Sequence, residues 1–213
     1  MILEIEKIVL EKNLYYKNTL VLKYNISYPR ITSNFSFYGV SQFNQYNRIK
    51  ALELKLYAEK DLLELAKNSY TYQYSNSFPI TVYELIYDFN ISYNENYILS
   101  LYTNEYVFTG GAHGNTTRNS QNWNIKLGNM FSLDYIFKND SSYLLYILRE
   151  INQQIRIQID NGTNQYFDNY CKLVLDNFKF NQFYLTPNDI VIFFQQYDIA
   201  PYSSGIPTFF IPR

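Results

Sequence analysis

Histidine and cysteine are nearly absent from this chain: among 213 residues there is one of each, His113 and Cys171. A single cysteine excludes an internal disulfide and a multi-thiolate metal site. Beside Tyr170 and Leu173, it reads as an ordinary buried thiol. A single histidine leaves no His-x-x-x-His pair, so no metal site or metal cofactor is expected. No run comes near the roughly 18 apolar residues that span a bilayer. The opening Met1-Ile2-Leu3-Glu4-Ile5-Glu6 lacks a signal peptide's basic start and apolar core. The expectation is a cytoplasmic chain, or one from which an export or anchoring segment has been removed. Neither sign of charge dominates, with 18 Lys and Arg against 19 Asp and Glu. Residues 1–70 hold 10 of the basic and 7 of the acidic groups, an imbalance too small to imply nucleic acid as a partner.

What is abundant is aromatic: 24 Tyr and 16 Phe, in a chain that is 19% aromatic. Two origins are open, an AT-rich codon supply or a tyrosine-lined recognition surface. Tyrosine suits the second because it offers a large contact area with a polar tip. The length allows a full core, in one large domain or two small ones.

Leu20, Leu22, Tyr24, Ile26 and Tyr28 alternate with Val21, Lys23, Asn25 and Ser27, which predicts a half-buried strand. Its expected partner is residues 2–10, across a turn at Asn13. From 42 to about 68 the period becomes helical, with Ile49, Leu52, Leu56, Leu63 and Ala66 as the apolar stripe and Ser41 as cap. Lys55/Glu59 and Lys60/Glu64, spaced i,i+4, suit a solvated face. Residues 69–79 read as a loop between two packed subregions. The cleanest strand covers 81–93, with Tyr83, Leu85, Tyr87, Phe89, Ile91 and Tyr93 on one face. A turn at Asn94-Glu95-Asn96 leads into a strand over about 97–108, and 116–127 supplies a third.

Residues 131–138 look like a short helical turn. A firm helix follows, opened by Asp140 or Ser141 and closed by Asn161-Gly162, burying Leu144, Leu148, Ile151, Ile155 and Ile159. Thr186-Pro187-Asn188-Asp189 predicts a type I turn. A strand is expected over 190–199, ended by Pro201 and Pro207, which lack the ladder donor. Strands and helices come in blocks, so the fold class is α+β, with largely antiparallel sheets packed with two main helices. There is no internal repeat.

Two loops could carry function. Gly110-Gly111-Ala112-His113-Gly114 lets the backbone approach a neighbour closely and take positive φ. His113 there is either a base or hydrogen-bond donor at a site, or a structural ring bonded to backbone. Serine-nucleophile chemistry has no Gly-x-Ser-x-Gly elbow to use. The glycines also lack the Lys-Ser/Thr of a phosphate loop. Glu84 and Asp88 share a strand face, as many solvated charges do, and carry little weight as an acid–base pair. The second loop, Pro201-Tyr202-Ser203-Ser204-Gly205, has a rigid entry, an aromatic anchor and small polar residues. That composition suits insertion into a partner's cleft, or equally a corner with Tyr202 packed inward.

Three features together resemble a domain of unknown function at the extracellular end of RsiV-type, lysozyme-sensing anti-sigma factors, a copy of which accompanies PdaC-type peptidoglycan deacetylases. They are Gly110-Gly111-Ala112-His113-Gly114, then Leu127 and Phe131 leading into a helix, then Leu185-Thr-Pro-x-x-Ile-Val-x-x-Phe-x-x-Tyr-x-Ile-Ala-Pro-Tyr-x-x-Gly-Ile-Pro207. The resemblance covers roughly residues 97–212. It implies a domain over 96–213 behind a PdaC-like strand–helix module over 1–95, the two packed as one unit. It further implies an extracytoplasmic or membrane-anchored binding domain, not an enzyme, without a cofactor, whose partner is a lysozyme-like protein or a peptidoglycan fragment. The matching positions are Gly111, His113 and Gly114 in one loop, and Pro201, Tyr202, Ser203, Ser204 and Gly205 in the other. With neither a membrane span nor a sigma-binding segment, this chain is not expected to act as an anti-sigma factor. Two alternatives remain from the residues: an interaction module of a larger envelope protein, or a wall-directed hydrolase using His113.

Overall fold

The structure, a computed structural model, describes residues 2–32, 37–137 and 142–213. It is α+β, as expected, with two sheets. Strands β1 (Ile5–Tyr16) and β2 (Thr19–Ile31) form a long hairpin. Its turn is Lys17-Asn18, both at positive φ (46° and 62°), which matches the natural twist of a two-residue hairpin. Asn13, the expected turn, instead sits within β1 opposite Lys23. A helix then crosses over the sheet as α1 (Tyr38–Tyr57), a π turn (Ala58–Leu62) and α2 (Leu63–Ser75), and β3 (Tyr83–Glu95) returns parallel to β2. Residues 69–75, expected as loop, are therefore helical. β4 (Ile98–Phe108), β5 (Asn115–Asn124) and the short β6 (Asn129–Met130) complete a sheet in sequence order. Position 95/96 falls in the β3–β4 hairpin, inside this one sheet.

Of the stripe expected for the helix, Ala66 is buried and Leu63 partly so, but the first half is turned the other way. Phe43, Ala51, Leu54, Ala58, Leu62, Ala66 and Tyr70 face the sheet, while Ile49, Leu52 and Leu56 point outward at 46, 45 and 54% exposure. Ala51, Ala58 and Ala66 among the inward residues let the helix lie close to the strands, with Phe43, Leu54, Leu62 and Tyr70 filling the space between them. Gly39 marks the tightest approach: a Cβ there would lie 2.0 Å from the Ile125 carbonyl oxygen. Ser41 is no cap; its Oγ donates to the Tyr38 carbonyl inside the first turn. Glu59 turns toward the sheet, bonded to Lys12 (3.1 Å) and the Tyr24 hydroxyl (2.9 Å), and Glu64 pairs with Lys67 rather than Lys60.

On the opposite face of the sheet lies the second lobe. It comprises α3 (Leu133–Phe137), α4 (Tyr143–Asp160), α5 (Tyr170–Asn177) and an antiparallel sheet of β7 (Phe183–Leu185), β8 (Asp189–Phe193) and β9 (Thr208–Pro212). Asp140 and Ser141, the expected opening of α4, lie outside the described residues. Tyr143, Ile147, Ile151 and Ile155 are its buried line, while Ile159 is 43% exposed. One side of the small sheet packs on α4 through Ile190, Ile192, Phe209 and Ile211; the other presents Tyr184, Val191 and Phe193 to Tyr102 of β4. β8 ends at Phe193, short of the strand expected to 199. Tyr93 also changes sides: a bulge between Ile91 and Tyr93 turns its ring from the helix face toward the second lobe. Cys171, expected buried, is exposed on α5, whose inward residue is Val174.

The lobes join through a small buried polar set. Ser100, fully buried on β4, accepts from the Leu185 amide (2.8 Å) and donates to Asn122 (2.7 Å), whose amide donates to the Phe183 carbonyl (2.9 Å). Each group in this dry layer thus has a partner.

Candidate functional site

The two loops singled out from the sequence meet. The Tyr202 hydroxyl donates to the Gly114 carbonyl (3.1 Å) from 88 positions away. The Tyr202 ring stacks on the His113 imidazole with centroids 3.7 Å apart and planes 16° from parallel. His113 Nδ1–H donates to the same Gly114 oxygen (3.0 Å), which fixes the ring's face toward Tyr202. Gly114 is glycine because it lies under Tyr106: an added Cβ would stand 2.4 Å from that ring. Gly110 and Gly111 take positive φ, 104° and 89°, which carries the chain out of β4 and back into β5. Tyr202 is therefore the inward-packed corner residue, and it packs on the other motif.

Around that contact, Pro201 precedes a single 3-10 turn over Tyr202–Ser204, and Gly205 closes it at φ 67°. Ser204 Oγ donates to the Gln165 carbonyl (2.8 Å), while Ser203 stays exposed. Two sets of residues that the sequence left unmarked complete the ledge. Tyr197, at positive φ and 53% exposed, lies 5.9 Å from Tyr202. A groove of about 610 Å³ runs beside Pro201, lined by Asn164, Gln165, Tyr166, Asp168 and Tyr170. The Tyr166 hydroxyl donates to Gln158 Oε1, and burial pushes its phenol up to about 12 against a weaker opposing bond from Asn164. Positive φ at a tyrosine and amide–aromatic clustering after a helix leave no regular period to read.

The loop between β8 and the 3-10 turn is pinned to the open edge of β5. Gln195 Oε1 accepts from the Arg118 amide (2.9 Å), and its Nε2 donates to the Arg118 carbonyl (2.7 Å). Gln196 Oε1 accepts from the Thr116 amide (3.1 Å). The two side chains act as a short substitute strand beside β5, and residues 194–199 form no strand of their own. Among the described residues no three or more His, Cys, Asp and Glu side chains come together as a metal set. No described helix is long and apolar enough to cross a membrane.

Residues 134–213 match the model of a family described as a protein of unknown function, DUF3298, and residues 16–116 match that described as deacetylase PdaC. A DUF3298 domain and a PdaC-type module are both present. The glycine–histidine loop thus lies at the end of the PdaC-type match and the Pro-Tyr loop within the DUF3298 match, so the ledge unites the two. The peptidoglycan-N-acetylmuramic acid deacetylase PdaC of Bacillus subtilis is 27% identical over 156 residues, 69% of this chain and 31% of that protein. The chain therefore spans about a third of the length of this curated relative. The fold is similar to a DUF3298 family member from Bacteroides fragilis (TM-score 0.69, 22% identity, 99% of this chain and 90% of that one). It is also similar to a DUF3298 protein from Pseudomonas aeruginosa (TM-score 0.58, 18% identity, the same coverages). At these identities the likeness is one of fold. The matched descriptions name the unknown-function domain and the PdaC-type module, and neither names a ligand.

Proposed function

We propose that this chain is a non-catalytic binding module of the cell envelope that recognises peptidoglycan fragments at the ledge formed by residues 110–114 and 201–205. The observation that carries this reading is the docking of Tyr202 on His113 and Gly114. It spends the one histidine on holding shape and leaves Ser203, Tyr197 and the adjacent tyrosine groove facing solvent. A mostly preformed concave surface with aromatic walls and a few amides is what a saccharide with N-acyl groups needs. The deacetylase relative, named for its action on peptidoglycan N-acetylmuramic acid, supports the same ligand class.

The test is calorimetric titration with soluble muropeptides, with lysozyme in a parallel arm. Muropeptide binding should fall at least about tenfold in Tyr202→Ala, which removes the stack that holds the two loops in one ledge. Tyr202→Phe keeps the stack on His113 and should stay within about threefold of the parent. Binding of lysozyme alone would make the partner a protein, and equal binding by parent and Tyr202→Ala would move the site off the ledge.

A further inference from the structure

A second cleft, of about 250 Å³, opens between β5 and the loop that leads into β7. Arg118 and Lys179 line it with Asn181, Gln182, Phe193 and Gln195, and no carboxylate is among its lining residues. Arg118 is held in place rather than loose. Its backbone is clamped on both sides by Gln195, its Nε donates to Asn104 (3.0 Å), and its guanidinium lies 4.2 Å over the Tyr102 ring. Among the described residues no acidic side chain pairs with it. A planar cation fixed through one nitrogen keeps its remaining donors for a planar acceptor, the geometry that suits a carboxylate. The second observation is independent of charge. Gln182, only 7% exposed, keeps a buried Oε1 with no hydrogen-bond partner. A buried amide oxygen without a donor is costly, and the amide of this cleft-lining side chain turns easily about its last torsion to meet a donor that a ligand supplies.

We infer that this cleft binds the carboxylate of an N-acylated amino acid, the carboxylate on Arg118 with Lys179 beside it and the acyl N–H on Gln182. An inorganic anion would satisfy the two cations but leave Gln182 unpaired. A neutral amide would do the reverse. The cleft is separate from the ledge, and the assignment does not rest on the peptidoglycan reading.

The probe is N-acetylalanine, titrated into isotope-labelled protein and followed by amide shifts around Arg118 and Gln182. Its carboxamide and propionate, which lack the charge and the N–H respectively, serve as controls. N-acetylalanine should bind at least about tenfold more tightly than the carboxamide, and Arg118→Gln should remove that preference. Gln182→Leu should bring N-acetylalanine down to the level of propionate and leave propionate unchanged. Arg118 also covers Tyr102 and Phe193, so its loss could cost packing. Lys179→Gln leaves that packing intact and should weaken N-acetylalanine about threefold. Equal affinity for acid and carboxamide, no shifts at about 10 mM, or tighter binding of inorganic phosphate than of N-acetylalanine would each overturn the assignment.

Discussion

The two faces of the six-stranded sheet are held in different ways. Toward the long helix, Leu22, Ile26 and Leu85 meet Ala51, Leu54, Ala58 and Leu62 in a contact made of area. Its chief polar feature is an amide cluster in which Gln121 bonds both Asn47 and the Trp123 indole. Toward the second lobe the important contacts end on backbone: Ser100 and Asn122 on β7, Gln195 and Gln196 on β5. Area is graded, since a lost methyl costs roughly its own share. A dry hydrogen bond is not, because deleting one partner leaves the other unsatisfied. The helix face supplies bulk stability, and the other face fixes how the lobes align.

The strongest way to break that contrast is Phe43→Ala. Phe43 is fully buried and meets Trp123 edge-on at 5.7 Å. Its loss should cost about 4 kcal/mol in urea unfolding, with the amide shifts of β7 to β9 little changed. Next comes Ser100→Ala, expected to cost about 2 kcal/mol because the Leu185 amide loses its acceptor. Combined with Asn122→Ala it should cost clearly less than the two singles together, since they share one network. Additive losses would mean that the junction is a set of separate contacts. The smallest effect is on pH dependence. Burial, reinforced by bonds to Glu59 and Asp134, pushes the Tyr24 and Tyr143 phenols up to about 12. The folded state then holds protons that the unfolded chain releases near pH 10, so stability is full below about pH 10 and falls as pH rises toward 12. Tyr24→Phe should shed its share of that slope in alkaline unfolding curves, and an unchanged slope would remove Tyr24 from the account.

The long strands are legible in the sequence because alternation survives wherever one face is buried, as at Tyr83, Leu85 and Tyr87. The helix is legible as a helix but not by its face. Ile49, Leu52 and Leu56 make a stripe on the outer side that competes with the inner one, where Asn47 and three alanines interrupt Phe43, Leu54, Leu62 and Tyr70. The parallel pairing of β2 with β3 is invisible for another reason: it is set by the crossover, not by either strand. Each candidate loop stands out alone through its glycines and prolines. Their stacking does not, since nothing in the local pattern of either loop specifies the other. Arg118 and Gln182 carry no motif at all, and only the fold brings them to one cleft.

The π turn at Ala58–Leu62 has a mechanical consequence. In a regular α-helix a residue four places on is rotated about 40° past its predecessor. Leu54, Ala58, Leu62, Ala66 and Tyr70 stand in four such steps, and in an unbroken helix Tyr70 would have swung most of the way to solvent. The wider turn takes part of that rotation back, working as a vernier between two rigid rods. The first rod can aim Phe43 at Trp123, and the second can aim Tyr70 at Tyr16, without either setting the phase of the other.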